Sequence, residues 1–472
     1  MAPVRGDFGS PGTTNRRILH AAATVGIFTV GVKSLAMFKE VAVANSFGRS
    51  DAVEAFLAAY LLPGFVIVLA AGSLNTALVP TFIQVRQVQG PAAAQRLFST
   101  CMVWSQGLLV GLSVVLASVA PFLIRAIGSS FSAAKLQLCT RLFYALLPLI
   151  LLGGIAANLS AILNAGKCFW LPAIAPILTP FLTLVLLLTR ARIWGVWSLV
   201  VGVLVGAFLE CFLLGVALAH RGVHVLPRWH GYSPEVRQVG KQYIPLLVGS
   251  LLGTGVTVID QSMAARLGTG SVAALVYGNR VVSVVVGLTG MSLSAAVIPY
   301  FSELVALGNW KECRHTLQTF ARLLLMGMTP VGMLLVAFSP ALVRLLFQRG
   351  AFTGQDTVVV SRVQAMYALQ IPFYAAGLLY VRMLTALKRN DLVMISAGIS
   401  LTLDIVLNLI CMKFLGVAGI ALATSLFYAA SLLFAVFMAR HLLSDKISSQ
   451  IARTVSQRHA PARMALLSNG SE

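Results

Sequence analysis

The chain predicts an all-α, polytopic membrane protein of about twelve transmembrane helices in two parallel six-helix halves around a central cavity. Three observations carry this. Of 472 residues, 58% are hydrophobic and only 10% charged, whereas about a quarter are charged in soluble globular domains. The apolar residues fall into about twelve blocks, each long enough to cross a hydrocarbon core of roughly 30 Å. Finally, the chain repeats itself once.

Residues 1–17 form a basic N-terminal tail. Followed by an apolar run, they mimic a secretion signal, but the run continues well past a signal core and carries two lysines, which predicts an uncleaved first helix. The spans of the N-terminal half (18–219) lie near 18–44, 53–80, 97–124, 138–163, 171–189 and 194–219. A basic connector, 220–242, follows with Pro227, Trp229 and Pro234. The C-terminal half (243–439) places its spans near 243–265, 272–300, 316–346, 360–386, 392–412 and 415–439. Residues 440–472 are a basic polar tail, expected to be disordered from Ser444. Pro63, Gly64, Gly72, Pro148, Gly153, Gly154, Pro245, Gly253, Gly255 and Gly290 supply points where helices can bend.

The net charge of +21 follows from topology. Its Lys and Arg are scattered over short loops and tails without aromatic interleaving, so no nucleic-acid partner is expected. With Arg5, Arg16 and Arg17 cytoplasmic, the larger share of basic residues falls inside, although Arg190, Arg192 and Arg349 oppose the trend. An even number of spans then puts both termini in the cytoplasm. The six cysteines have no metal-ligand spacing and read as small core hydrophobes or loop thiols.

The repeat rests on two matches. Gly72-Ser-Leu-Asn-Thr-Ala-Leu-Val-Pro80 resembles Met291-Ser-Leu-Ser-Ala-Ala-Val-Ile-Pro299, and Tyr144-Ala-Leu-Leu-Pro148 resembles Tyr367-Ala-Leu-Gln-Ile-Pro372. Both pairs are offset by about 220 residues, and an even number of spans per half makes the repeat parallel, with a ligand site expected between the halves.

Lys33, Lys39 and Arg280 lie inside predicted spans. An ionised group at bilayer depth is tolerated mainly beside a wet, protein-lined cavity, so the chain is expected to handle something anionic within the membrane. Lys33 and Lys39 are separated on a helix by about 9 Å of rise and roughly 120° of rotation, so both can reach one broad cavity. The competing readings are a structural ion pair between Lys39 and adjacent Glu40, and snorkelling of Lys33.

Leu346-Phe-Gln-Arg-Gly-Ala-Phe-Thr353, Gly270-Ser-Val-Ala-Ala-Leu-Val-Tyr-Gly-Asn-Arg280, Ala161-Ile-Leu-Asn164 with Pro172 to Pro176, and Phe38-Lys-Glu-Val-Ala-Val-Ala44 followed by Phe47-Gly48 together resemble the MurJ/MviN family of the multidrug/oligosaccharidyl-lipid/polysaccharide exporter superfamily. The resemblance runs in order from about residue 18 to residue 440. It implies a flippase of the bacterial cytoplasmic membrane that moves an undecaprenyl-diphosphate-linked saccharide, lipid II or a related intermediate, for peptidoglycan synthesis by alternating access. The lipid-linked oligosaccharide and membrane lipids are then its partners, and the protein is expected to be a monomer. Lys33, Lys39 and Arg280 match the family's headgroup-binding cations, and Glu54 an acidic cavity position. A carboxylate favoured by the helix dipole explains Glu54 equally well.

Two departures favour a second reading, a flippase for an exopolysaccharide or O-antigen repeat unit. The stretch Pro63-Gly-Phe-Val-Ile-Val-Leu-Ala-Ala-Gly72 is wholly apolar where many lipid II flippases carry more cations, and the two additional C-terminal helices of many relatives are missing. Asp260, Asp404, Asn408 and Thr424 match positions at which family members are thought to hold sodium, with a carbonyl near Ile420 as a further ligand. These hard oxygen donors suit a hard cation, so sodium is the candidate coupling ion and no other cofactor is expected. The alternative is interhelical hydrogen bonding, with Arg382 as a counter-ion. A membrane-embedded polyprenyl or glycosyl transferase is disfavoured: the fourteen acidic residues are dispersed, with no Asp-x-x-Asp pair, and the histidines fall in loops, the tail or the mouth of the first span. A non-transporting scaffold is a further alternative.

Overall fold

The computed structural model describes the backbone from Pro11 to Ser468 except at 129, 167, 307 and 388, and the side chains of most of these residues from 26 to 448. The structure is helical, with no strand among the described residues. In chain order the helices are α1 (Pro11–Phe47), α2 (Asp51–Val66), α3 (Gly72–Val88), α4 (Pro91–Ile127), α5 (Ala133–Leu146), α6 (Pro148–Ala165), α7 (Trp170–Ile174), α8 (Leu178–Trp194) and α9 (Trp197–Ala219). They continue with α10 (Pro234–Ala265), α11 (Ser271–Ala306), α12 (Trp310–Ala337), α13 (Ser339–Phe347), α14 (Gly354–Ala368), α15 (Gln370–Ala386), α16 (Asn390–Leu415) and α17 (Val417–Ser468).

Nine stretches among the described residues are long and apolar enough to cross a membrane. The other three expected spans are also helical, as α1, α10 and the α14–α15 pair. Many large apolar side chains on these helices face outward, among them Phe122, Leu188, Phe212, Phe414 and Phe437. Such a surface suits lipid rather than water.

Several expected single spans are broken, and proline explains the breaks, because it lacks an N–H and crowds the carbonyl four residues earlier. The 138–163 block divides at Leu147 before Pro148, and the 360–386 block at Leu369 before Pro372. Those prolines end the two matching motifs, so the breaks repeat with the sequence. In the second, the freed Ala368 carbonyl lies so close to Gly332 of α12 that an added Cβ would sit 3.1 Å away. The second span is helical throughout, but a π-helical segment, Ile67–Ala71, follows Pro63 and separates α2 from α3. Met291–Pro299, the second copy of the other motif, is helical, and its side chains lie outside the described residues. Where disorder was expected from Ser444, α17 continues to Ser468, with helix formers such as Ala, Arg, Leu and Gln along its length.

Packing groups the chain into two compact units. One comprises residues up to Val281 with 338–364 and 408–421; the other comprises 282–337, 365–407 and the chain from Leu422. The first has a core of Leu74, Leu78, Phe82, Phe98, Leu159 and Leu214, joining α3, α4, α6 and α9. The core of the second contains Phe301, Leu317, Leu379, Met383 and Leu432 from α11, α12, α15 and α17. All six thiols are free, and four are buried.

Candidate functional site

The predicted cations Lys39 and Arg280 meet at one acid. Glu40 Oε1 lies 2.7 Å from Lys39 Nζ and 2.6 Å from an Arg280 terminal nitrogen. The Glu40 side chain is 6% exposed, whereas that of Arg280 is 39% exposed, so the carboxylate is held inside while the guanidinium keeps an open face. The ion pair weighed between Lys39 and Glu40 is therefore present, and Arg280 shares it. Lys33 is exposed on α1 and joins no ion pair among the described residues. Lys39 and Arg280 thus share one carboxylate where they meet.

Beyond this cluster, several of the motifs converge in the first compact unit. Glu54, expected as an acid of the cavity, is fully enclosed and does other work. Its carboxylate receives Lys135 Nζ at 2.5 Å and the backbone N–H groups of Val272 and Ala273 at 2.8 and 3.4 Å. It therefore caps the N-terminus of α11, satisfying donors that have no intrahelical partner. Lys135, 1% exposed, also pairs with Asp51 at 2.8 Å and lies over the Phe131 ring. Sequence reasoning missed Lys135. A faint signal existed: a lysine in the first turn of a helix opposes the dipole and invites an anionic partner.

Arg49 completes the junction, donating to the Gly270 carbonyl at 2.9 Å and to Asp356 at 3.2 Å. Tyr277 donates to the Gly48 carbonyl at 3.3 Å, while its ring packs on Phe347 and Phe352. The Ala351 N–H donates to the Asn45 carbonyl at 2.8 Å. This approach needs glycine on both sides. Gly48 and Gly350 have φ of +58° and +57°, and a Cβ on either would strike the facing backbone, at Ala351 and Asn45 respectively.

The expected sodium ligands divide between the compact units. In the first, Asn408 Nδ2 donates to Asp260 Oδ1 at 2.7 Å, with both residues buried. Asp404, one turn before Asn408 on α16, and Thr424 belong to the second unit and are also buried. No group of three or more His, Cys, Asp or Glu that could hold a metal occurs among the described residues. Carboxylate, amide and hydroxyl oxygens are donors of the kind that a hard monovalent cation takes.

The family model described as "Lipid II flippase MurJ" matches residues 43–468. A probable lipid II flippase MurJ from Rhizobium meliloti (strain 1021) is 26% identical over 416 residues, covering 85% of this chain and 76% of the relative. One from Synechocystis sp. (strain ATCC 27184 / PCC 6803 / Kazusa) is 25% identical, covering 88% and 80%. Among solved structures, a lipid II flippase MurJ in an inward closed conformation matches with a TM-score of 0.75 at 23% identity, covering 88% of this chain and 87% of that one. An inward-facing multidrug resistance MATE family transporter matches at 0.76 and 14% identity, covering 90% and 99%. At these identities the structural matches establish a shared fold.

Proposed function

Because the chain belongs to the lipid II flippase MurJ family, we propose that it moves lipid II, a saccharide on undecaprenyl diphosphate, across the bacterial inner membrane for peptidoglycan synthesis. It is a multi-pass transporter and not an enzyme. The observation that carries the proposal is the sharing of Glu40 between Lys39 and Arg280, with Lys33 exposed on the same helix as Lys39.

In this mechanism the cations neutralise the diphosphate while the polyprenyl chain stays in lipid. Glu40 acts as the resident counter-ion: it holds Lys39 and Arg280 in place without ligand and gives way, in part, to the stronger anion. Lysine presents a compact charge, whereas arginine offers a planar fork that can hold a phosphate by two hydrogen bonds. Arg280 is therefore the orienting group. The two sequence halves rock about the site, with both termini cytoplasmic, and the protein acts as a monomer without nucleic acid. Sodium is the proposed coupling ion, and Asp260, Asp404, Asn408 and Thr424 are the residues that the family resemblance assigns to it.

Reversing one charge tests this reading. Arg280→Glu, incorporated into the membrane at normal levels, should abolish export of the lipid intermediate in cells and flipping in proteoliposomes; retained flipping would refute the headgroup assignment. The apolar Pro63–Gly72 stretch favours one competitor, a lipid-linked exopolysaccharide unit. Replacement of an essential lipid II flippase by this chain supports peptidoglycan, and failure to replace it together with restoration of a polysaccharide exporter mutant supports the competitor.

A further inference from the structure

A cavity of about 650 Å³ opens in the first compact unit, lined by Arg86, Arg96, Arg221 and His224 on its polar side and by residues including Phe82 and Leu218 on its apolar side. It shares no residue with the Lys39–Glu40–Arg280 cluster. Its depth in the membrane follows from the spans that meet there. The span Asp51–Val88 ends and Pro91–Ile127 begins beside it, while Ala133–Ala165 and Trp197–Ala219 also finish at its rim. Four apolar segments stop at one level, so the cavity lies where hydrocarbon gives way to headgroups.

Among the described residues, no acidic one lines this cavity. No ion pair among the described residues involves Arg86, Arg96 or Arg221. The nearby acid Glu235 lines an adjoining cavity with Arg96 and is engaged by Gln89, whose amide donates to it at 2.8 Å. That hydrogen bond holds the Glu235 carboxyl below the usual carboxylate range. Helix α4 also starts at the cavity without a capping side chain or an acid in its first turn, so its free N–H groups add to the positive potential.

The connector after α9 fixes the outer wall. Gln95 bonds both backbone groups of His224, donating to its carbonyl at 2.8 Å and accepting from its N–H at 3.2 Å. Farther along, Ser99 Oγ accepts from Arg228 N–H at 2.5 Å and Thr100 Oγ1 from His230 N–H at 3.3 Å. These contacts secure the segment that carries Arg221 and His224 against α4.

We propose that this cavity is a binding site for a phosphate oxyanion, presented by the headgroup of an anionic phospholipid whose acyl chains lie against the apolar wall. Arginines suit phosphate because the guanidinium fork matches its oxygens, and basic pockets between transmembrane helices at the membrane surface take anionic headgroups. Free inorganic phosphate shares that chemistry but makes no use of Phe82 or Leu218.

Isothermal titration of detergent-solubilised protein with dihexanoyl phosphatidylglycerol, dihexanoyl phosphatidylcholine and inorganic phosphate separates these sources. Phosphatidylglycerol should bind, with phosphatidylcholine at least tenfold weaker. The triple variant Arg86→Gln, Arg96→Gln, Arg221→Gln should lose on the order of a hundredfold in affinity for phosphatidylglycerol, at about 1 kcal/mol per basic group. The corresponding triple lysine variant should keep most of it. Arg280→Gln should leave this binding unchanged, which separates the site from the transport cluster. If the glutamine triple variant does not fold, Arg96→Gln alone should show about a fivefold loss. Tighter binding of inorganic phosphate than of phosphatidylglycerol, lost in the same variants, would support the oxyanion site and overturn its lipid source. Equal phosphatidylglycerol affinity in wild type and folded variants, or parity with phosphatidylcholine, would overturn the proposal.

Discussion

Lys135→Met should be among the most destabilising single substitutions in the first compact unit. It removes the ammonium between Glu54 and Asp51 but keeps the length of the side chain. The two partners differ sharply: the Glu54 side chain is 0% exposed and that of Asp51 54%. Asp51 regains water at little cost, as partly exposed ion pairs are worth about 0–1 kcal/mol. Glu54 cannot, and stranding one member of a buried pair costs about 3–5 kcal/mol. Its hydrogen bonds from Val272 and Ala273 continue to stabilise the anion, which places Lys135→Met near the lower end, about 3 kcal/mol. Glu54→Gln leaves Lys135 with Asp51 and keeps one acceptor for the α11 N–H groups, costing about 2 kcal/mol. Asp51→Asn should cost less than about 1 kcal/mol. Reversible unfolding by dodecyl sulfate in mixed micelles should therefore rank the proteins wild type, Asp51→Asn, Glu54→Gln, Lys135→Met, from most to least stable. Lys135→Met combined with Glu54→Gln should be more stable than the sum of the single losses requires. A Lys135→Met protein as stable as Asp51→Asn, or strict additivity in the double variant, would refute the assignment of Glu54 as a buried, charge-dependent cap.

Other perturbations probe the transport cluster and the junction. Glu40→Gln removes the shared counter-ion and should tighten binding of pyrophosphate on the order of tenfold while slowing turnover, as expected for loss of one charge a few ångströms away in a nearly water-like dielectric, about 1 kcal/mol; unchanged affinity by calorimetry would count against the anion site. The double variant Lys33→Gln, Lys39→Gln should insert normally yet lose transport in proteoliposomes, and full activity would remove both lysines from the site. Gly350→Val should lower stability in the same micelle assay by about 2–4 kcal/mol, through left-handed strain and displacement of the Asn45 backbone; a loss below 1 kcal/mol would show that the loop simply moves aside.

Much of the architecture was legible because a bilayer writes its constraints locally. Apolar length marked the spans, and Pro148, expected as a point of bending, stands at a helix break, while Pro372 was read only as the end of the matching motif. The basic residues of the cluster were legible too, since a lysine or arginine in an apolar run is conspicuous in one dimension. The acid that joins them was only half visible. Lys39 and Glu40 are neighbours in sequence, but Arg280 reaches Glu40 from another helix, and no periodicity announces that contact. Lys135 was less visible still, lying at the start of a helix whose sequence looks ordinary and finding its acids on α2. The π-helical segment at Ile67–Ala71, four residues past Pro63, was hidden for another reason: its residues are apolar like those of the α-helices on either side.

The most recognisable motifs turn out to carry structure more than chemistry. Gly48 and Gly350 permit backbone contact, Tyr277 packs on Phe347 and Phe352, Arg49 joins Gly270 to Asp356, and Glu54 caps α11. Each needs its particular residue type whatever the ligand, because φ, volume or charge at a buried position leaves no substitute. Arg280 is different, since it follows directly on that packed segment yet keeps an open face. The junction thus holds α1 and α11 so that Lys39 and Arg280 meet at Glu40. The apolar stretch Pro63–Gly72 is where the sequence reading expects a departure from lipid II flippases with additional cations. A basic residue introduced into that stretch, at exposed Val68 for instance, tests whether it bears on substrate choice.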